Sequence, residues 1–318
     1  MLKLNHLFEN FELAKNCIEY WEHDPAGLEE TLGWFRISSN AVYPFWQRAG
    51  RLCFLRLCPA AEKPLARVES EIAVIRWLRQ EGFAAMEPVP MKDGRLCALL
   101  DTPWGSYTAS CFGQVTGKPL EDCPLSPGLA EGYGRCLGRL HRLTERCPHG
   151  ADRPGHEELL EKIHRRLGEH QVPAGVTAAF RQVCAQLAEL PRSPEVYGLI
   201  HYDFQPDNVF YSEADGSFSV IDFDDMLRCW YGVDLVRAMD ELAEPLREDF
   251  LRGYRSVRPF SHEQQALLPL MRRLVQLEEY AGLLYALGGE VADPPEWMVQ
   301  LRSRLTGALR RLEEAISR

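Results

Sequence analysis

Apolar residues recur at two different periods along this chain, and the change of period divides it. Between residues 34 and 57 they come in short runs: Trp34-Phe35-Arg36-Ile37, Ala41-Val42-Tyr43-Pro44-Phe45 and Leu52-Cys53-Phe54-Leu55-Arg56-Leu57. Short apolar runs separated by turn formers predict strands. Leu65, Val68, Ile72, Ile75 and Leu78 then follow at three- and four-residue steps, which predicts a helix that Gly82 ends. Leu96-Cys97-Ala98-Leu99-Leu100 and Ser110-Cys111-Phe112 are two further short runs, and the turn-rich stretch 113–128 reads as a crossover. Beyond Pro127 the pattern turns helical, with Leu129, Tyr133, Leu137, Leu140 and Leu143 on one stripe. More helices fill 157–190, a hairpin interrupts at 197–223, and helices resume to the C-terminus. There are no internal repeats and no low-complexity tracts.

The hairpin carries the chemistry. It reads Leu199-Ile200-His201-Tyr202-Asp203-Phe204-Gln205-Pro206-Asp207-Asn208-Val209-Phe210, followed by Ser219-Val220-Ile221-Asp222-Phe223-Asp224. The form is His-x-Asp-x-x-x-x-Asn, then an apolar strand ending in Asp-Phe. Phosphoryl transfer asks for few protein groups: a carboxylate to orient the acceptor hydroxyl, and an Asn and an Asp to hold Mg²⁺ against the phosphates. Asp203 and Asn208 fit on one tight loop, and Asp222 returns on the next strand. The competing reading is a polar turn between two strands with an acidic end.

The pattern resembles the aminoglycoside phosphotransferase family, the small-molecule branch of the protein-kinase-like fold, over roughly residues 35–240. The family's loop reads His-Gly-Asp-x-x-x-x-Asn, so Tyr202 departs from the usual Gly. The resemblance implies an α+β, two-lobed fold: a β-rich nucleotide-binding lobe, residues 1–112, and a mostly helical catalytic and substrate-binding lobe, residues 113–318. It implies Asp203 as the group that orients or deprotonates the hydroxyl and Asn208 and Asp222 as Mg²⁺ ligands. Arg56 stands where the family's strand carries a Lys that touches the nucleotide phosphates and pairs with a helix Glu. Glu71 is the expected partner, with Glu69 the competitor. Arg keeps the charge but grips through a wider, planar fork. Ser38, Ser39 and Asn40 take the position of the phosphate-covering turn, and the adenine is expected near Ser110, Cys111 and Phe112. His201 is expected to brace the loop, and Asp207 to be a turn residue. Asp234 is expected to cap a buried helix and fasten the loop; His141 also reads as structural. Asp224 and Asp225 face either metal, a cationic substrate or solvent, and Trp230 and Tyr231 either line the acceptor pocket or pack the core.

Composition narrows the function. Apolar content of 46% and charged content of 26% are ordinary for a globular protein. No apolar run approaches the ~20 residues that span a bilayer, and no basic-then-apolar leader opens the chain. The ten cysteines are scattered without a C-x-x-C pair, which fits a reducing cytoplasm. A net charge of −10 argues against nucleic-acid binding and leans weakly toward a cationic acceptor. There is no P-loop and no G-x-S-x-G, and His156 and His164 lack a third zinc ligand. Three functions follow. One is a kinase moving the γ-phosphoryl of ATP or GTP to a small-molecule hydroxyl, acting as a monomer or weak dimer. The second is a protein Ser/Thr kinase, disfavoured by the short segment from Asp222 to Asp234 and the missing Ala-Pro-Glu. The third is a non-catalytic nucleotide-binding scaffold, disfavoured by the intact Asp203, Asn208 and Asp222. Acidic residues Asp240, Glu241, Glu244, Glu278 and Glu279 lie on the helices expected to bound the acceptor pocket, with solvated faces as the plainer reading.

Overall fold

The computed structural model describes residues 10–37, 40–289, 294 and 296–317. Two short helices, α1 (Phe11–Ile18) and α2 (Leu28–Leu32), precede the first sheet; the apolar pattern gave no sign of them. The sheet holds β1 (Arg36–Ile37), β2 (Ala41–Trp46) and β3 (Leu52–Pro59). After helix α3 (Leu65–Gln80) come β4 (Glu87–Pro88), β5 (Cys97–Thr102) and β6 (Gly105–Gly113). All pairings are antiparallel: β1, β2, β3 and β6 lie side by side, and β4 and β5 share the far edge of β6.

Alternation along β3 and β6 decides which residues see the interior of this lobe. Cys53, Leu55 and Leu57 point to one face with Tyr107, Ala109 and Cys111, where α1 and Trp21 complete an apolar core. Phe54, Arg56, Ser110 and Phe112 take the opposite face, with Arg56 directly across from Ser110. α3 packs on that second face through Val68, Ile72 and Ile75, joining the larger core below. Glu71 lies one residue before Ile72 on the same buried stripe, whereas Glu69 is exposed, which removes it as the competitor. Gly82, at φ +76°, stops the helix as expected.

The crossover is less irregular than its composition suggests: β7 (Lys118–Pro119) pairs with a strand of the catalytic hairpin. α4 (Pro127–Thr144), capped by Ser126, carries the expected apolar stripe. α5 (His156–Gly168) and α6 (Ala174–Ala188) follow, then β8 (Tyr197–Ile200), β9 (Val209–Tyr211), β10 (Phe218–Val220) and β11 (Leu227–Trp230). The remaining helices are α7 (Gly232–Asp240), α8 (Glu244–Arg255), α9 (His262–Ala266), α10 (Leu268–Leu287) and α11 (Glu296–Ser317). α4 and α8 cross with their backbones almost touching: a Cβ on Gly134 would collide with Phe250 O, and one on Gly253 with Glu131 O. That crossing fixes His141 of α4 beside the catalytic loop. The two lobes also meet directly, where Met86 N donates to Val220 O and Val220 N to Ala84 O. Among the described residues no helix is long and apolar enough to cross a membrane.

Candidate active site

The catalytic loop hangs between β8 and β9, and Asp234 holds it. Asp234 is fully buried in the first turn of α7. Its Oδ2 accepts from His201 N at 2.8 Å and its Oδ1 from Tyr202 N at 2.7 Å. His141 Nε2 lies 2.9 Å from the same Oδ2, and His141 Nδ1 lies 2.9 Å from Tyr254 Oη. The expectation that Asp234 caps its own helix is therefore corrected. The α7 N-terminus has no side-chain cap, because both carboxylate oxygens are taken by the loop and by His141. Burial lowers the His141 pKa against the opposing pull of Asp234.

His201 serves as expected. It is fully buried between the rings of Phe204 and Phe223. Its Nε2 donates to Ile221 O at 3.0 Å, tying the loop to the metal-site strand. Burial lowers its pKa, so the ring is neutral and unsuited to act as a base. Tyr202, at φ +73°, occupies the left-handed region that a Gly would enter without strain, and Asp222 does the same at φ +59°. The Asp234 clamp on two consecutive backbone N–H groups holds Tyr202 there, and the Arg237 guanidinium covers its ring at 4.5 Å. These turns set the directions of the two carboxylates that follow and sit within them.

Asn208, in the 3₁₀ turn Pro206–Asn208, donates through Nδ2 to Asp203 Oδ2 at 2.9 Å and to Asp203 O at 3.0 Å. Among the described residues its amide oxygen accepts no hydrogen bond, and neither does the Asp222 carboxylate. Burial raises the Asp203 carboxyl to about 6, opposed by Arg237, and the Asp222 carboxyl to about 6, opposed by Arg56 and Lys63. Two partly buried carboxyls, Asp203 raising Asp222, beside an amide oxygen left without a donor, suit a hard cation. This donor set fits a hard divalent cation. Asp207 is exposed in the turn, as expected.

Arg56 and Glu71 form a two-pronged pair across the sheet–helix interface, Nη1 to Oε1 at 2.9 Å and Nη2 to Oε2 at 2.5 Å. Glu71 is fully buried, and the guanidinium also lies 4.8 Å from the centre of the Phe112 ring. Burial works against the Arg56 charge, Glu71 outweighs it, and Asp222 adds to the attraction, so the pair and the metal-site aspartate share one electrostatic field. Phe112 thus belongs to the cleft face with Ser110. Cys111 does not: the alternation of β6 sends its side chain into the opposite core, fully buried, and its carbonyl is taken by Val89 N. Of the three residues near which adenine is expected, Ser110 and Phe112 thus face the cleft and the Cys111 side chain does not.

Asn40 and Asp224 prove to be one unit. Asn40 Nδ2 donates to Asp224 Oδ2 at 2.8 Å, and Lys63 Nζ pairs with Asp224 and reaches Asn40 Oδ1 at 3.3 Å. The Asp224 side chain is therefore held by the sheet lobe and is not free for an acceptor, while Asp225 is exposed. Ser38 and Ser39 lie outside the described residues. Trp230 and Tyr231 pack the core: Trp230 Nε1 donates to Pro191 O between His156 and Tyr197, and the Tyr231 ring lies between His141 and Arg258. Three residues passed unremarked in the sequence. Lys63 sits in an irregular loop with nothing to mark it. Arg153, nearly fully buried, donates to Arg67 O, Met226 O and Asp224 O, stapling α3 to the metal-site loop. Burial without a carboxylate partner lowers its pKa to about 10. Arg237 was discoverable: α7 is buried all round, and an Arg inside such a helix needs partners. It pairs with Glu278 at 3.1 Å and Glu279 at 3.4 Å.

A strand Arg clamped by a helix Glu, facing a loop that juxtaposes Asp203 and Asn208 with Asp222, defines a phosphotransferase site of the protein-kinase-like kind. The model of the phosphotransferase enzyme family matches residues 37–267. The chain belongs to that family and is a small-molecule kinase acting on an alcohol group. Amicoumacin kinase of Bacillus subtilis (strain 168) is 24% identical over 234 residues, covering 67% of this chain and 68% of its own. Homoserine kinase of Rhizobium etli is 28% identical over 262 residues, covering 73% and 75%. Among solved structures, an amicoumacin kinase in complex with AMP-PNP, Ca²⁺ and Ami superposes with a TM-score of 0.77 at 19% identity, over 97% of this chain and 94% of that one. A microcompartment-associated aminopropanol kinase gives a TM-score of 0.72 at 23% identity, over 97% and 98%.

Proposed function

We propose that the protein transfers the γ-phosphoryl group of Mg-ATP, or Mg-GTP, to a hydroxyl of an amino-bearing small molecule. The nucleotide lies between the sheet lobe, residues 1–112, and the helical lobe, residues 113–318. Arg56, positioned by Glu71, binds its phosphates, and Ser110 and Phe112 lie on the face that receives it. Asn208 Oδ1 and the Asp222 carboxylate would hold Mg²⁺, which when bound would neutralise charge on the phosphate oxygens. Asp203 orients the acceptor hydroxyl and takes its proton as the new O–Pγ bond forms. The bond from Pγ to the β,γ-bridging oxygen breaks, and the nucleoside diphosphate leaves with that electron pair. The raised Asp203 carboxyl suits it to accept a proton near neutrality better than an ordinary aspartate does.

The observation that carries this reading is the 2.9 Å contact of Asn208 with Asp203 on a loop that Asp234 clamps beside Asp222. The amino group in the proposed acceptor rests on the relatives, an aminopropanol kinase and a homoserine kinase among them, and on the exposed Asp225 lining the neighbouring cavity. Purified protein incubated with Mg-ATP and a panel of amino alcohols, hydroxy amino acids, sugars and aminoglycosides tests it. Formation of a phosphomonoester and stoichiometric ADP is expected for at least one amino-bearing hydroxyl compound. Nucleotide hydrolysis without product, across a panel that wide, would count against it.

A further inference from the structure

A cavity of about 520 Å³ opens beside the catalytic loop, lined by Tyr202, by α5, by the start of α3 and by Glu278 and Tyr285 of α10. Most of its charges are already spoken for. Lys63 is paired with Asp224, Arg67 with Glu158 at 3.3 Å, Glu278 with Arg237, and Arg153 with three carbonyls. Arg166 stands apart. It is 8% exposed, its guanidinium is stacked 4.3 Å over the Tyr285 ring, and among the described residues no carboxylate or carbonyl accepts from it. Burial lowers its pKa. A guanidinium offers five N–H donors in a planar fork, and none of the Arg166 nitrogens is sealed from solvent, so the fork can meet a ligand from the cavity. Its small exposed surface lies on the cavity wall.

Lys162 adds a second observation. It precedes Arg166 by four residues on α5 and lines the same cavity, so two cations share one helix face; among the described residues neither makes an ion pair, although Glu278 attracts Arg166 and Asp225 attracts Lys162 from further off. Like charges so placed repel, and acids acting from beyond ion-pair distance offset this only in part. Stacking on Tyr285 also holds the Arg166 fork in one plane, which suits a two-pronged grip on a carboxylate.

We infer that the acceptor carries an anionic group of carboxylate type, which docks on Arg166 with help from Lys162 while its hydroxyl is presented to Asp203. This rests on the phosphotransferase reading of the neighbouring site and reverses part of the expectation drawn from net charge. A purely cationic acceptor would meet Arg166 and Lys162 head on. A hydroxy acid or hydroxy amino acid satisfies them, and the latter leaves its ammonium for the exposed Asp225 on the same wall.

The test uses full-length protein with Mg-ADP and matched ligands: a series of aliphatic hydroxy acids and hydroxy amino acids, each against its carboxamide and its decarboxylated alcohol. Binding is followed by calorimetry, and transfer is followed separately with Mg-ATP. At least one acid is expected to bind about 10- to 100-fold more tightly than its carboxamide, the range for a charge-assisted pair. Arg166→Gln should bring the two near parity, Arg166→Lys should retain part of the preference, and circular dichroism should report both variants folded. Parity in the wild type, an intact preference in Arg166→Gln, or no binding by any acid overturns the inference. Transfer to amines or neutral alcohols with no preference for acids removes the anion site and leaves the kinase reading standing. Acids that bind through Arg166 while nothing is phosphorylated do the reverse.

Discussion

Removing the charge of Asp222 should make the protein more stable and, at the same time, unable to respond to Mg-nucleotide. Burial raises the Asp222 carboxyl from 3.8 to about 6, although Arg56 and Lys63 pull it down. A folded-state pKa above the unfolded one means that the folded protein binds the proton more tightly. Its stability therefore falls as pH rises from about 4 to about 6 and stays reduced above that. Two pH units correspond to ~3 kcal/mol; because the side chain keeps some contact with solvent, ~1–2 kcal/mol is the better expectation. Asp222→Asn deletes this cost and keeps the shape. Without nucleotide at pH 8 it should melt about 2–8 °C above wild type, from ~2–4 °C per kcal/mol for a chain of this class. At pH 5 the gain should shrink, because the wild-type carboxyl is then largely protonated. Mg-ADP should invert the order: the wild type gains stability from ligand binding and the variant gains little. Thermal melts by circular dichroism at the two pH values, with and without Mg-ADP, give all four numbers. A variant no more stable than wild type at pH 8 and equally stabilised by Mg-ADP would refute both the buried-charge argument and the ligand role.

Arg56→Ala and Glu71→Ala should each weaken Mg-nucleotide binding about 10- to 100-fold, and the double variant should do little worse, since the two-pronged pair acts as one unit; calorimetry with ADP checks this, and additive losses would separate the residues. Glu71 left alone is a buried unpaired charge, so Arg56→Ala should also cost ~3–5 kcal/mol of stability in urea titrations. Arg153→Met should destabilise by ~3 kcal/mol or more and lower activity together, because three buried carbonyls lose their donor; a neutral urea midpoint would show that water replaces the guanidinium. Asp234→Asn, which cannot satisfy two backbone N–H groups and His141 together, should cost ~2–4 kcal/mol and raise hydrogen exchange at Tyr202 and Asp203; unchanged exchange there would mean the loop is held by other contacts.

How much of this was legible beforehand depended on the kind of constraint. Asp203, Asn208 and Asp222 were readable because a tight loop and a short hairpin leave sequence spacing and spatial proximity almost the same thing. Arg56 and Glu71 were readable because β3 and α3 each have one clear period. The same periodicity, followed one strand further, separates Cys111 from its neighbours: Arg56 pairs with Ser110, so the Cys111 side chain faces away from the cleft. Trp230 and Tyr231 could not be assigned from residue type, since an aromatic near a pocket and one in a core look alike until burial is known. Lys63, Arg153 and Arg166 were silent for a different reason. Each acts across a distance in the chain that no local pattern encodes, as with Arg153, which reaches Asp224 O and Met226 O more than seventy residues on. α1 and α2 were missed because neither is long enough to establish a helical period.

The central claim is that Asp203, held by Asn208 and the Asp234 clamp, orients an acceptor hydroxyl for attack on a bound γ-phosphoryl group. The most direct measurement follows γ-labelled ATP into a phosphomonoester on the hydroxyl panel, for the wild type and for Asp203→Asn, with the Mg-ADP affinity of both proteins determined alongside. The account predicts labelled product from the wild type, ~10²–10⁴-fold less from the variant, and nearly equal nucleotide affinity. A variant that binds nucleotide equally well and forms labelled product within about tenfold of the wild-type rate would contradict it.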